Sequence, residues 1–134
     1  MTKLEIAALY SGLLILVLTF LAVQVSRQRR AGKVSLGDGG LPALQRAIRA
    51  HGNAAESIPI GVVGLLFLAL LDPLPMWSVH AVGAALLVGR VAHGAALSQS
   101  DGPVPGRVIG MTLTWLAFLA LAAGLLFGAL SPVI

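Results

Sequence analysis

Four stretches of this sequence carry no Asp, Glu, Lys or Arg: Ile6 to Ser26, Ser57 to Leu71, Met76 to Gly89, and everything from Val108 onward. An α-helix rises about 1.5 Å per residue, so about 20 residues cross the ~30 Å hydrocarbon core of a bilayer. Ile6 to Ser26 is long enough to do so alone. The chain of 134 residues is 57% hydrophobic and only 10% charged, whereas a soluble domain carries about a quarter charged residues. These features predict an all-α, integral membrane four-helix bundle, with residues 1–134 forming a single domain.

The basic cluster Arg27, Arg29, Arg30 follows the first apolar run instead of preceding it, which marks an anchored helix and not a cleaved signal peptide. The predicted first helix covers about 4–27. A glycine-rich loop, Gly32 to Gly40, follows, and Pro42 suits the first turn of a second helix over 41–71. Asp72-Pro73-Leu74-Pro75 breaks that helix with a tight turn. A third helix covers 76–98, and a fourth covers 106–130 after the loop Ser100 to Pro105. Basic residues flank the first and third connections, while the second connection carries neither Lys nor Arg. The positive-inside rule therefore puts both termini outside and the arginine-rich end in the cytoplasm.

The nine basic residues give a net charge of +4, yet they form no extended face with interleaved aromatics, so nucleic acid is excluded as a partner. Without cysteine, any thiol chemistry must use a substrate's thiol. His51, His80 and His93 show no ligand spacing with carboxylates, so no metal site is expected. Gly106-x-x-x-Gly110 and Gly124-x-x-x-Gly128 permit close helix approach or oligomerisation.

The polar residues of the second helix are concentrated in one stripe. Arg46, Arg49, Asn53 and Glu56 fall within an arc of roughly 80° at about 100° per residue. Arg30, Arg90, His93 and Arg107 reach the same end of the bundle. Two readings stand side by side. Ion pairs between helices, such as Arg90 with Glu56, would hold the bundle together. Alternatively, the guanidinium groups bind a small anionic ligand through its carboxylates, with Glu56 receiving an ammonium.

The run Arg49-Ala50-His51-Gly52-Asn53-Ala54-Ala55-Glu56 resembles the R-A-x-x-N-x-x-E signature of the MAPEG superfamily, the membrane-associated proteins in eicosanoid and glutathione metabolism. Gln24-Val25 with Arg29 to Ser35 is similar to the end of helix one in its leukotriene-forming members. Gly89-Arg90-Val91-Ala92-His93 resembles helix three of its prostaglandin E synthases, and Pro103 to Arg107 resembles the stretch before helix four. The resemblance implies a homotrimer in the bacterial inner membrane, with glutathione as cosubstrate between neighbouring subunits. Carried over, Arg49, Asn53 and Glu56 hold the peptide, Arg30 reaches it from the adjacent subunit, Arg90 and His93 line the site, and Arg107 is the catalytic residue beside the thiol. Gly94 and Leu97 stand where the prostaglandin branch has Thr and Tyr, and Val108 where it has Ser. These departures point away from eicosanoids and toward general glutathione chemistry.

The expected activity is a glutathione-dependent transferase or peroxidase acting on lipophilic electrophiles, with membrane lipids as surroundings. The alternative is a non-catalytic binding or membrane-organising protein that keeps the fold. A transporter fits less well, because transporter cores place polar groups near the midplane, whereas here they crowd one end.

Overall fold

A computed structural model describes residues 1–131. It contains four helices: α1 (Lys3–Gly32), α2 (Pro42–Leu71), α3 (Met76–Gln99) and α4 (Pro105–Leu130). All four are long and apolar enough to cross a membrane, and together they make the expected all-α membrane bundle.

Local chemistry accounts for the ends. Thr2 caps α1 in a capping box with Glu5: the Glu5 amide donates to Thr2 Oγ1 at 3.2 Å, and the Thr2 amide donates to Glu5 Oε2 at 2.8 Å. α1 runs through the basic cluster to Gly32, five residues beyond the end expected at 27. Charge marks the edge of the hydrocarbon, not the end of the helix, and arginine is a good helix former. The stop comes at Lys33, which turns left-handed at φ 55° while its amide donates to the carbonyls of Arg29 and Arg30. In the following loop Gly37, Gly39 and Gly40 all adopt positive φ, as the glycine-rich sequence predicts. Pro42 opens α2, and Asp72 closes it in a left-handed conformation just before Pro73. Pro59 lies inside α2 without ending it, which membrane helices tolerate.

α2 and α3 form a central pair, each in contact with both α1 and α4, whereas among the described residues α1 and α4 do not touch. The core joins Leu14 and Leu21 of α1, Ile58 and Leu65 of α2, Val82 and Leu86 of α3, and Ala117 and Leu121 of α4. Large apolar residues also point outward, among them Leu16, Phe20, Trp115 and Leu119. In lipid such exposure carries no hydrophobic cost.

The tightest crossing lies between α3 and α4. A Cβ on Gly110 would meet the Gly89 carbonyl oxygen and the His93 amide nitrogen, each at 2.6 Å. The two backbones are therefore in contact one residue away from Arg90, and the spacing of Gly106 and Gly110 serves packing within the chain.

At the far end of the bundle Lys3 pairs with Asp72 and also donates to the Leu74 carbonyl. His80, expected to make a hydrogen bond between helices, does so. Its Nδ1 lies 3.2 Å from the Tyr10 hydroxyl, with the two rings edge to face. Gly83 leaves room for that tyrosine ring.

Candidate functional site

Arg90 is the largest fully buried side chain. It sits on α3, where the Gly89–Gly110 crossing excludes any other bulk, and its guanidinium turns toward α2. Nη2 donates to Asn53 Oδ1 at 2.6 Å and lies 3.5 Å from His93 Nδ1. Nε and Nη1 have no hydrogen-bond partner among the described residues. The ion pair envisaged between Arg90 and Glu56 is not formed. Glu56 lies three positions beyond Asn53, about 60° around the helix, and it is exposed. The register of α2 against α3 thus brings an amide, not a carboxylate, to the buried arginine.

Arg107 enters from the first turn of α4. Its Nη1 donates to the carbonyls of Asp101 at 3.3 Å and Gly102 at 3.0 Å. Asp101 in turn accepts from Arg46 Nη1 at 3.0 Å. One loop acid thereby ties the start of α4 to the stripe on α2. Arg107 and His93 share a cleft of about 580 Å³ between α3 and α4, together with Val108, Met111, Thr112 and Trp115. Asp101 lines the same cleft; His93 is buried, Arg107 half-buried, and Asp101, Thr112, Val108 and Trp115 are exposed.

The remaining stripe residues behave differently. Arg30, Arg49 and Glu56 are all exposed, and none has a side-chain partner among the described residues. Asn53 is half-buried, with its carbonyl oxygen committed to Arg90. The structure therefore gathers Asn53, Arg90 and His93 into one connected group and sets Arg107 in a cleft with His93. Arg30, Arg49 and Glu56 stay on outer faces.

Sequence reasoning passed over two contributors. Asp101 reads in the sequence only as loop, although its carboxylate holds Arg46 and its backbone carbonyl holds Arg107. Gly89 was noted only within the Gly-Arg motif, although a glycine directly before a buried arginine is what the close crossing requires.

Comparison with known proteins agrees with this architecture. The MAPEG family model matches residues 7–127. Over 114 residues the chain is 40% identical to Inner membrane protein YecN of Escherichia coli strain K12, an alignment covering 85% of each protein. The protein of the same name from Escherichia coli O6:H1, strain CFT073, matches to the same extent. The four-helix membrane fold, the Arg49-Asn53-Glu56 stripe and this match over most of the chain make the protein a member of the MAPEG family.

Proposed function

We propose that this protein binds glutathione at its arginine-rich end and uses it, as a transferase or peroxidase, on lipophilic electrophiles. The carrying observation is a charge imbalance. Among the described residues, Arg30, Arg49, Arg90 and Arg107 have no carboxylate partner, while Asn53 and Glu56 stand beside them. Glutathione offers two carboxylates, an ammonium and a thiol, so the donor set fits. Guanidinium forks suit the carboxylates, and Glu56 suits the ammonium.

When bound, glutathione supplies a sulfur nucleophile. The chain's part is to hold and activate it. Arg90 fixes the Asn53 carbonyl oxygen and so directs the Asn53 amide group toward the stripe. Arg107, held from behind by the Asp101 and Gly102 carbonyls, presents its remaining N–H groups to the α3–α4 cleft. A cation there favours thiolate over thiol, and the exposed Val108 and Trp115 offer a lipophilic partner apolar contact. Because Arg30, Arg49 and Glu56 lie on outer faces, a neighbouring copy in a homotrimer would complete the site. The bacterial inner membrane, named for the relatives, is its location in this reading, with the arginine-rich end in the cytoplasm.

The test is glutathione binding to the purified protein in detergent, followed by thiolate absorbance in wild type and Arg107→Ala. Binding with an Arg107-dependent thiolate signal is expected. No binding at millimolar glutathione overturns the reading. A second reading, a non-catalytic protein that keeps the fold, draws on one observation: two loop carbonyls already occupy Arg107 Nη1. Saturable binding without turnover, across a panel of electrophiles and hydroperoxides, selects that reading.

A further inference from the structure

Two hollows flank α1. One is a cleft of about 630 Å³ between α1 and α3, where Arg90 lines the wall but turns its guanidinium to Asn53 on α2. The other, of about 510 Å³, is an open groove at the arginine-rich end of α1, lined by Ser26, Arg29, Arg30, Lys33, Val34 and Ser35. We propose that this second groove binds the phosphate of an anionic phospholipid and so holds a lipid of net negative charge at the end of α1.

Spacing brings the donors together. Ser26, Arg29, Arg30 and Lys33 stand at i, i+3, i+4 and i+7, so they share one face of α1 within an arc of roughly 100°. Arg27 lies outside that arc and does not line the groove. The chain then folds back to make the second wall. Lys33 turns left-handed, the Val34 amide donates to the Arg29 carbonyl at 3.0 Å, and Arg29 Nη1 donates to the Gly37 carbonyl at 2.8 Å. Arg30 and Lys33 are exposed, and neither has a carboxylate partner among the described residues. Asp38 of the same loop does not line the groove, and its Oδ1 accepts from the Gly40 amide at 3.0 Å.

Depth selects the class of ligand. The uncharged run Ile6 to Ser26 matches the ~30 Å hydrocarbon core, so Ser26 marks its edge. Arg29 and Arg30 lie about 4.5–6 Å further along α1, inside a headgroup layer about 5–8 Å thick on each side. Lys33, one turn beyond, reaches back on its flexible stem. Cations clustered directly after a membrane span attract anionic lipids. A zwitterionic headgroup would also need a carboxylate for its ammonium, and no acidic residue lines the groove. Leu36, 88% exposed on the same loop, adds the apolar contact that interfacial segments make with acyl chains. This site goes beyond the glutathione reading, which gives no role to Arg29 or Lys33.

The experiment titrates the detergent-purified full chain with phosphatidylglycerol and counts bound lipid by native mass spectrometry, with no glutathione present. Phosphatidylglycerol should bind about tenfold more tightly than phosphatidylcholine with the same acyl chains. Lys33→Gln should weaken phosphatidylglycerol about fivefold, whereas Arg27→Gln, which removes the same charge outside the groove, should change it less than about twofold. Ser35→Glu sets a carboxylate on the loop wall at an exposed position and leaves every cation in place. It should bring phosphatidylglycerol down to the phosphatidylcholine level. Equal affinity for the two lipids, equal losses in Lys33→Gln and Arg27→Gln, or undiminished binding in Ser35→Glu overturns the proposal. Displacement by millimolar inorganic phosphate would assign the groove to a soluble anion and overturns it too. Since glutathione is absent from the assay, failure of the glutathione reading leaves these outcomes unchanged.

Discussion

The two ends of this bundle handle charge in opposite ways. At one end, polar groups find each other: Thr2 with Glu5, Lys3 with Asp72 and the Leu74 carbonyl, Tyr10 with His80. At the other end, Arg27 to Arg49, Arg90 and Arg107 face only Asp38, Glu56 and Asp101. A single ion pair, Arg46 with Asp101, forms there among the described residues. Matched groups close a structure. Unmatched guanidinium groups in a low-dielectric setting need an anion from outside the chain. The contrast sets an end whose charged groups are paired against an end where, among the described residues, most arginines lack a carboxylate partner.

That contrast can be broken by mutation, beginning with the largest effect. Gly110→Val drives side-chain atoms into the backbone of Gly89 and His93, with a cost of about 3 kcal/mol expected. Denaturant unfolding in detergent would expose the crossing as looser than described if this variant proved neutral. Gly83→Ala acts at the closed end. A Cβ there would lie 2.3 Å from the Tyr10 ring, so the ring is displaced and the bond to His80 is lost, at about 1–2 kcal/mol in the same assay.

Arg90→Met sharpens the comparison, because stability and binding should move in opposite directions. Replacing an uncompensated buried cation with an apolar side chain of similar length should be neutral or stabilise by about 1 kcal/mol, while glutathione binding falls. A destabilisation matching that of Gly110→Val would instead make Arg90 a structural residue. The smallest effects belong to the ion pairs. Asp101→Asn and Asp72→Asn remove exposed partners and should each cost less than about 1 kcal/mol, decreasing with added salt.

How much of this was legible in the sequence varies with the physics involved. The four spans followed from apolar length, and the turn at Asp72 to Pro75 from proline and a residue that tolerates positive φ. The end of α1 was misjudged because hydropathy reports where lipid stops, whereas backbone capping decides where a helix stops. The stripe on α2 followed from helical periodicity, which fixes the angles between residues on one helix. Its partner did not. Whether Arg90 meets Asn53 or Glu56 depends on rotation and sliding of α2 against α3, where Gly61 lets Leu86 come close. Such register is a property of pairs of helices. The α1–α3 cleft was invisible for the same reason, since no local pattern marks the space left by Gly94 opposite Leu21.

The lack of contact between α1 and α4 has a further consequence. One cleft belongs to α1 and α3, the other to α3 and α4, and only the central pair of helices connects them. Substitutions on α1 and α4 that touch no common residue of α2 or α3 should therefore combine additively. The α1 wall of one cleft and the α4 wall of the other can change separately, whereas Arg90 and His93 on α3 link the two. A scaffold of this kind keeps its arginines in place while diversifying the outer walls of two chambers separately, and α3 is the partition on which both depend.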